Sequence, residues 1–117
     1  MTDPLVRLDA EQHATDELLA SLRRDFESVV AASADSNADD EHDPEGSTIA
    51  FERSQISALI EQAEHRLGEI GAARARVDDG SYGVCETCGK RIAAGRLKAR
   101  PFARTCVDCA RLGEENA

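Results

Sequence analysis

Apolar residues return every seven positions along the first third of the chain. Leu5, Leu19 and Phe26 form one series and Leu8, Leu22 and Val29 the other, with Gln12 and Thr15 interrupting them. Two interleaved series of this kind lay one stripe along a helix, the seam of a helix packed against a single partner. The pattern predicts a helix over residues 4–33. Asp3 caps it, and Pro4 falls in the first turn, where its missing N–H costs nothing. A second seam follows. Ile49, Ile56, Ala63, Ile70 and Val77 recur in sevens, Ile60 and Leu67 interleave, and Arg53 and Arg74 stand at the ends. This predicts a helix over residues 48–79, about 48 Å long, with Ser47 or Thr48 as cap. Gly68 and Gly71 each cost about 1 kcal/mol relative to Ala. A close approach of the first helix or a bend would account for them. Asp78-Asp79-Gly80 reads as the helix end, with Gly just beyond the last turn.

Residues 34–47 carry no periodicity. They hold six acids, no bases, one Pro and one Gly, so like charges repel and Pro44 stops a helix. This is the expected turn of a hairpin, with Asp39, Asp40, Asp43 and Glu45 at its acidic tip. Two matched helices joined by a short loop fold back antiparallel. A lone two-helix seam buries little surface and is marginal by itself. The expected fold is all-α: a long antiparallel helical hairpin, a coiled coil, over residues 1–79, then a small cysteine-rich finger with a short C-terminal helix over 80–117.

Composition narrows the functional classes. The chain has 117 residues and a net charge of -9, so the backbone of a nucleic acid repels it overall. Aromatic residues are few: Phe26, Phe51, Phe102 and Tyr82. That favours long helices over a thick core. Charge is unevenly placed. Residues 1–47 hold 13 acids and 3 bases, whereas residues 80–117 hold 4 acids and 7 bases. Such asymmetry predicts two surfaces with different partners. The N-terminus shows neither the basic nor the apolar region of a signal peptide, and no stretch approaches the length of a membrane span. The expected location is the cytoplasm, with no membrane partner. Thiols stay reduced there, and paired cysteines favour metal over disulfides.

Cys85, Cys88, Cys106 and Cys109 are spaced C-x2-C-x17-C-x2-C, the spacing of a four-cysteine zinc site. Two intervening residues let one tight turn aim both sulfurs at one ion. Gly89 follows the first pair, where such a turn needs a left-handed residue. Four thiolates on Zn2+ leave two negative charges, which Lys90, Arg91 and Arg104 lie near enough in sequence to offset. Four sulfurs leave no open coordination position, so the zinc is expected to be structural. His13, His42 and His65 lie away from this cluster. No nucleophile with a base and no phosphate-cradling glycine loop is present, so no enzymatic activity is expected.

Tyr82-Gly83-x-Cys85-x-x-Cys88-Gly89, then Ile92, then Arg96-Leu97-x-Ala99-Arg100-Pro101, then Cys106-x-x-Cys109 closely resembles the finger of the DksA/TraR family. The match covers roughly residues 78–111, and the hairpin ahead of it fits the DksA branch. The resemblance implies a bacterial protein that binds RNA polymerase directly and needs no sequence-specific DNA contact. The coiled coil of such proteins enters the secondary channel with its acidic tip toward the active centre. They change open-complex lifetimes, in some members together with the alarmone ppGpp. No motif here fixes the register of ppGpp-contacting residues. The tip departs from the family. The DksA pattern is Asp-x-x-Asp-x-Ala, and the nearest match is Asp40-x-x-Asp43-x-Glu45. An ungapped alignment from the finger places His42 and Glu45 at the two acidic positions instead. Two alternatives remain from the residues: a nucleic-acid-binding zinc module using the basic run from Lys90 to Arg104, and a redox-sensing one using the thiolates.

Overall fold

The computed structural model describes residues 3–36 and 44–115, of which 35, 36, 44–47, 114 and 115 are described by backbone alone. The described residues form four helices: α1 (Pro4–Ser36), α2 (Pro44–Asp79), α3 (Ala94–Ala99) and α4 (Val107–Glu115). The sole strand-like pairing among them is one antiparallel bridge between Val84 and Arg91. The fold is the expected long helical hairpin followed by a small finger.

Both long helices overrun the expected ends of the turn at residues 34–47. α1 continues to Ser36 and α2 begins at Pro44. Residues 31–34 read Ala-Ala-Ser-Ala, and alanine is the best helix former. Proline breaks a helix interior but suits the first position, where no partner for its N–H is needed. Pro44 therefore starts α2 where it was expected to precede it. Asp3 caps α1 as expected, its Oδ1 accepting from the Leu5 N–H at 2.9 Å. Asp39, Asp40 and Asp43 lie outside the described residues, as does the side chain of Glu45.

The chain packs as two compact units. One comprises Ala14–Arg66. Its helices meet along the predicted seams: Thr15, Leu19, Leu22 and Ala63 are buried, and Phe26, Val29, Ile49, Ile56 and Ile60 are half-buried. Thr15 sits in the seam as a buried polar residue, and no buried side-chain polar atom among the described residues lacks a hydrogen-bond partner. Arg23 and Glu64 pair across the helices at 3.2 Å. Both are about half-exposed, so the pair fixes antiparallel register more than it adds stability.

The other unit comprises Met1–His13 and Leu67–Ala117. Leu8, Ile70 and Ala73 form its core, with Val77, Tyr82 and Phe102 packed against them. The small side chain at position 73 leaves room for two aromatic rings beside it. Arg74 ties the helices together, donating from Nε to Gln12 at 3.1 Å and pairing with Asp9. Gln12 breaks the apolar repeat yet serves the seam through this bond.

Gly68 and Gly71 are exposed, and a Cβ at either would meet nothing within 4 Å. No close helix approach requires them. Gly71→Ala is expected to stabilise the chain by about 1 kcal/mol, through helix propensity and a less flexible unfolded chain. Thermal or urea unfolding of the two proteins checks this; an unchanged or lower stability contradicts it.

Candidate metal centre

The finger begins where α2 ends. Gly80 takes φ 84°, a conformation that a side chain disfavours. The Ser81 N–H then reaches back to the Arg76 carbonyl at 3.0 Å, closing the helix in a Schellman turn. Asp79 reinforces the stop. Its Oδ1 accepts from the Ser81 hydroxyl and N–H, and these bonds hold its carboxyl below the usual range.

Two short turns then present the cysteines. In the first, the Gly89 N–H donates to the Cys85 carbonyl at 3.0 Å and the Cys85 N–H to the Lys90 carbonyl at 2.8 Å. Gly89 has φ 76°, the left-handed conformation expected of it. In the second, the Cys109 N–H points at the Cys106 Sγ at 3.5 Å, in the first turn of α4. One bond ties the turns together, from the Glu86 N–H to the Arg104 carbonyl at 2.9 Å.

The four Sγ atoms lie within 4.8 Å of one another. Cys88 and Cys106 have their sulfurs 3.9 Å apart. Sulfurs about 2.3 Å from a tetrahedral ion stand about 3.8 Å from each other, whereas a disulfide needs about 2.05 Å. The donor set therefore fits a structural zinc ion. Cys85 is buried, Cys106 and Cys109 are half-buried and Cys88 is exposed.

The thiols are unequal. The N–H groups of Cys88 and then Cys106 hold the Cys85 thiol down to about 6. Cys109 is pushed up to about 12, first by its hydrogen bond with Cys106, then by burial and by the other sulfurs. Zinc has to displace that proton, so metal affinity falls as pH falls.

Side chains around the turns fix them to the helices. Tyr82 donates its hydroxyl to the Pro101 carbonyl at 2.7 Å. Burial raises its pKa, which keeps it a donor. Arg96 donates to the Thr105 carbonyl at 2.7 Å, beside Cys106. Arg104 pairs with Glu69 of α2 at 2.8 Å. Arg76, with 10% of its side chain exposed, donates to the Phe102 carbonyl at 3.3 Å and faces Glu86 at 3.9 Å. Of the three cations expected to offset the thiolates, Arg104 is thus held by a carboxylate. Arg76 lies outside the apolar repeats, and no local pattern marks it, because its contacts are to Phe102 and Glu86, distant in sequence. α3 was likewise not anticipated, since its six residues are too few to show a period.

The family description that matches residues 80–112 is the prokaryotic dksA/traR C4-type zinc finger. General stress protein 16O of Bacillus subtilis (strain 168) is 36% identical over 73 residues, covering 62% of this chain and 45% of that protein. RNA polymerase-binding transcription factor DksA of Escherichia coli (strain K12) is 49% identical over 39 residues, covering 33% of this chain and 26% of that protein. The match thus spans less than half the length of either relative. The structure of transcription factor DksA2 from Pseudomonas aeruginosa superposes with a TM-score of 0.56 at 22% identity, covering 95% of this chain and 85% of that one. That likeness bears on the fold, and it includes the hairpin ahead of the finger. Residues 80–112 thus carry a finger similar to the dksA/traR C4-type zinc finger, on a chain whose fold is similar to that of DksA2.

Proposed function

We propose that this chain is a zinc-stabilised transcription regulator that binds bacterial RNA polymerase. Cys85, Cys88, Cys106 and Cys109 hold the ion. The hairpin enters the secondary channel, and the acidic turn, with Asp39, Asp40, Asp43 and Glu45, approaches the active centre and changes initiation. The observation that carries this reading is the finger: residues 80–112 match the dksA/traR C4-type zinc finger, and a relative named for polymerase binding is 49% identical over 39 residues. The hairpin supports it, because the fold agrees with that of a DksA protein over 95% of the chain. The zinc in this reading has a structural task, holding two turns together without touching a substrate. No helix among the described residues is long and apolar enough to cross a membrane.

The tip carries the regulatory effect in this account, and the finger and helices carry the binding. Asp40→Asn with Asp43→Asn is expected to leave polymerase binding in place and to abolish the change in open-complex lifetime. Decay of preformed promoter complexes, measured with each protein, checks it. A double variant that still binds and still changes the lifetime would sink the role given to the tip. With ppGpp added to parallel reactions, the same assay reads whether the alarmone takes part.

A further inference from the structure

We propose that Arg76 is a positioning residue for the zinc site, and that through it zinc occupancy governs how firmly the end of α2 is closed. This rests on the four-cysteine ligand assignment and not on polymerase binding.

One residue of α2 meets both cysteine-bearing segments. The Arg76 guanidinium donates to the Phe102 carbonyl, four residues before Cys106, and faces the Glu86 carboxylate, next to Cys85. Its own carbonyl accepts the Ser81 and Tyr82 N–H groups at 3.0 and 3.1 Å. The same residue therefore ends the helix and spans the two turns. Those turns join to each other through the Glu86 N–H and Arg104 carbonyl, so neither shifts without disturbing an Arg76 contact. Burial makes the contacts consequential. A guanidinium with 10% of its side chain exposed has little water to fall back on if Phe102 and Glu86 move away. The Arg104–Glu69 pair also joins finger to helix, but Arg104 is about 42% exposed and water replaces its partner readily.

Coupling of this kind is reciprocal. Zinc fixes the turns, and the turns supply the acceptors that Arg76 needs. Conversely, a correctly closed α2 end places Phe102 and Glu86 and raises affinity for the metal. Outer partners that orient metal ligands are typically worth ten- to a hundredfold in affinity.

The test uses the full chain with Zn2+ in competition with a chelator of known affinity. Arg76→Met keeps length and helix propensity while removing charge and donors. It is expected to weaken zinc binding by about ten- to a hundredfold. Arg76→Lys should recover part of the loss, and Glu69→Gln should lose far less. Cobalt in place of zinc reports the ligand set separately: a four-sulfur tetrahedral spectrum in both wild type and Arg76→Met shows that the ligands are as assigned. A different spectrum in the wild type would overturn the ligand assignment first. Wild-type zinc affinity in Arg76→Met would overturn the positioning role. Should that variant fail to fold, hydrogen exchange on the wild-type chain decides. Zinc is expected to protect the amides of Ser81 and Tyr82, which bond to Arg76, and equal exchange with and without metal would overturn the proposal.

Discussion

Cys85→Ser is expected to cost the chain its zinc and the fold of residues 80–112. Cys85 is the most buried of the four sulfurs, and its N–H and carbonyl both hold the first turn. The finger has little else to keep it folded. Its buried apolar residues besides Cys85 are Ile92, Pro101 and Ala103, and its regular structure is one bridge and two short helices. Structural zinc contributes about 10–16 kcal/mol to folding in small fingers near neutral pH. Whole domains are stable by about 5–15 kcal/mol, so losing even part of the metal's contribution is enough to open the finger. Zinc per chain, together with amide dispersion over residues 80–112, measures the outcome. Stoichiometric zinc and an unchanged thermal midpoint would contradict the account.

The second large effect is expected at Ile70, where truncation strikes the junction of helix and finger. Ile70 is 1% exposed and touches the cluster of Leu8 and Ala73 that Tyr82 and Phe102 cover. Ile70→Ala removes three carbons from a site with neighbours on α1, α2 and the finger. Such changes cost about 2–5 kcal/mol, the upper end where the surroundings cannot collapse. Collapse is hampered here, because Tyr82 is held by its bond to Pro101. The loss should appear both as a lower unfolding midpoint and as weaker zinc binding, since the finger packs on the altered surface. A variant with the stability and zinc affinity of the parent would show that the finger does not depend on this cluster.

Much of this organisation is legible in the residues because it is periodic or local. The seams follow from Leu8, Leu19, Leu22, Ala63 and Ile70, which recur in sevens and are buried. Gly80 and Gly89 mark left-handed turns that their neighbours demand, and the cysteine spacing defines a tetrahedral cluster. The helix ends were harder. Acidic repulsion and Pro44 suggested an early stop, while alanine propensity and the tolerance of proline in a first turn carried the helices further. Arg76 was not legible at all. Its value comes from Phe102 and Glu86, which lie in segments that meet it only after the finger has folded. No local pattern announces a buried arginine whose partners are a backbone carbonyl and a distant carboxylate. The polar seam residues Gln12 and Thr15 are an intermediate case. They looked like interruptions in the repeat, yet Gln12 accepts from Arg74 and Thr15 is buried. A repeat broken by polar residues of the right size is still a seam when those residues find partners.

Functionally, the finger and hairpin act together in this account: the metal holds the finger, the finger closes the end of α2, and the hairpin carries the acidic turn to the polymerase. The most direct measurement is gel filtration of the zinc-loaded chain with bacterial core RNA polymerase, with and without a competing secondary-channel factor. The account predicts co-elution that the competitor removes. Separate elution at tens of micromolar, with zinc bound and the helices intact, would contradict it.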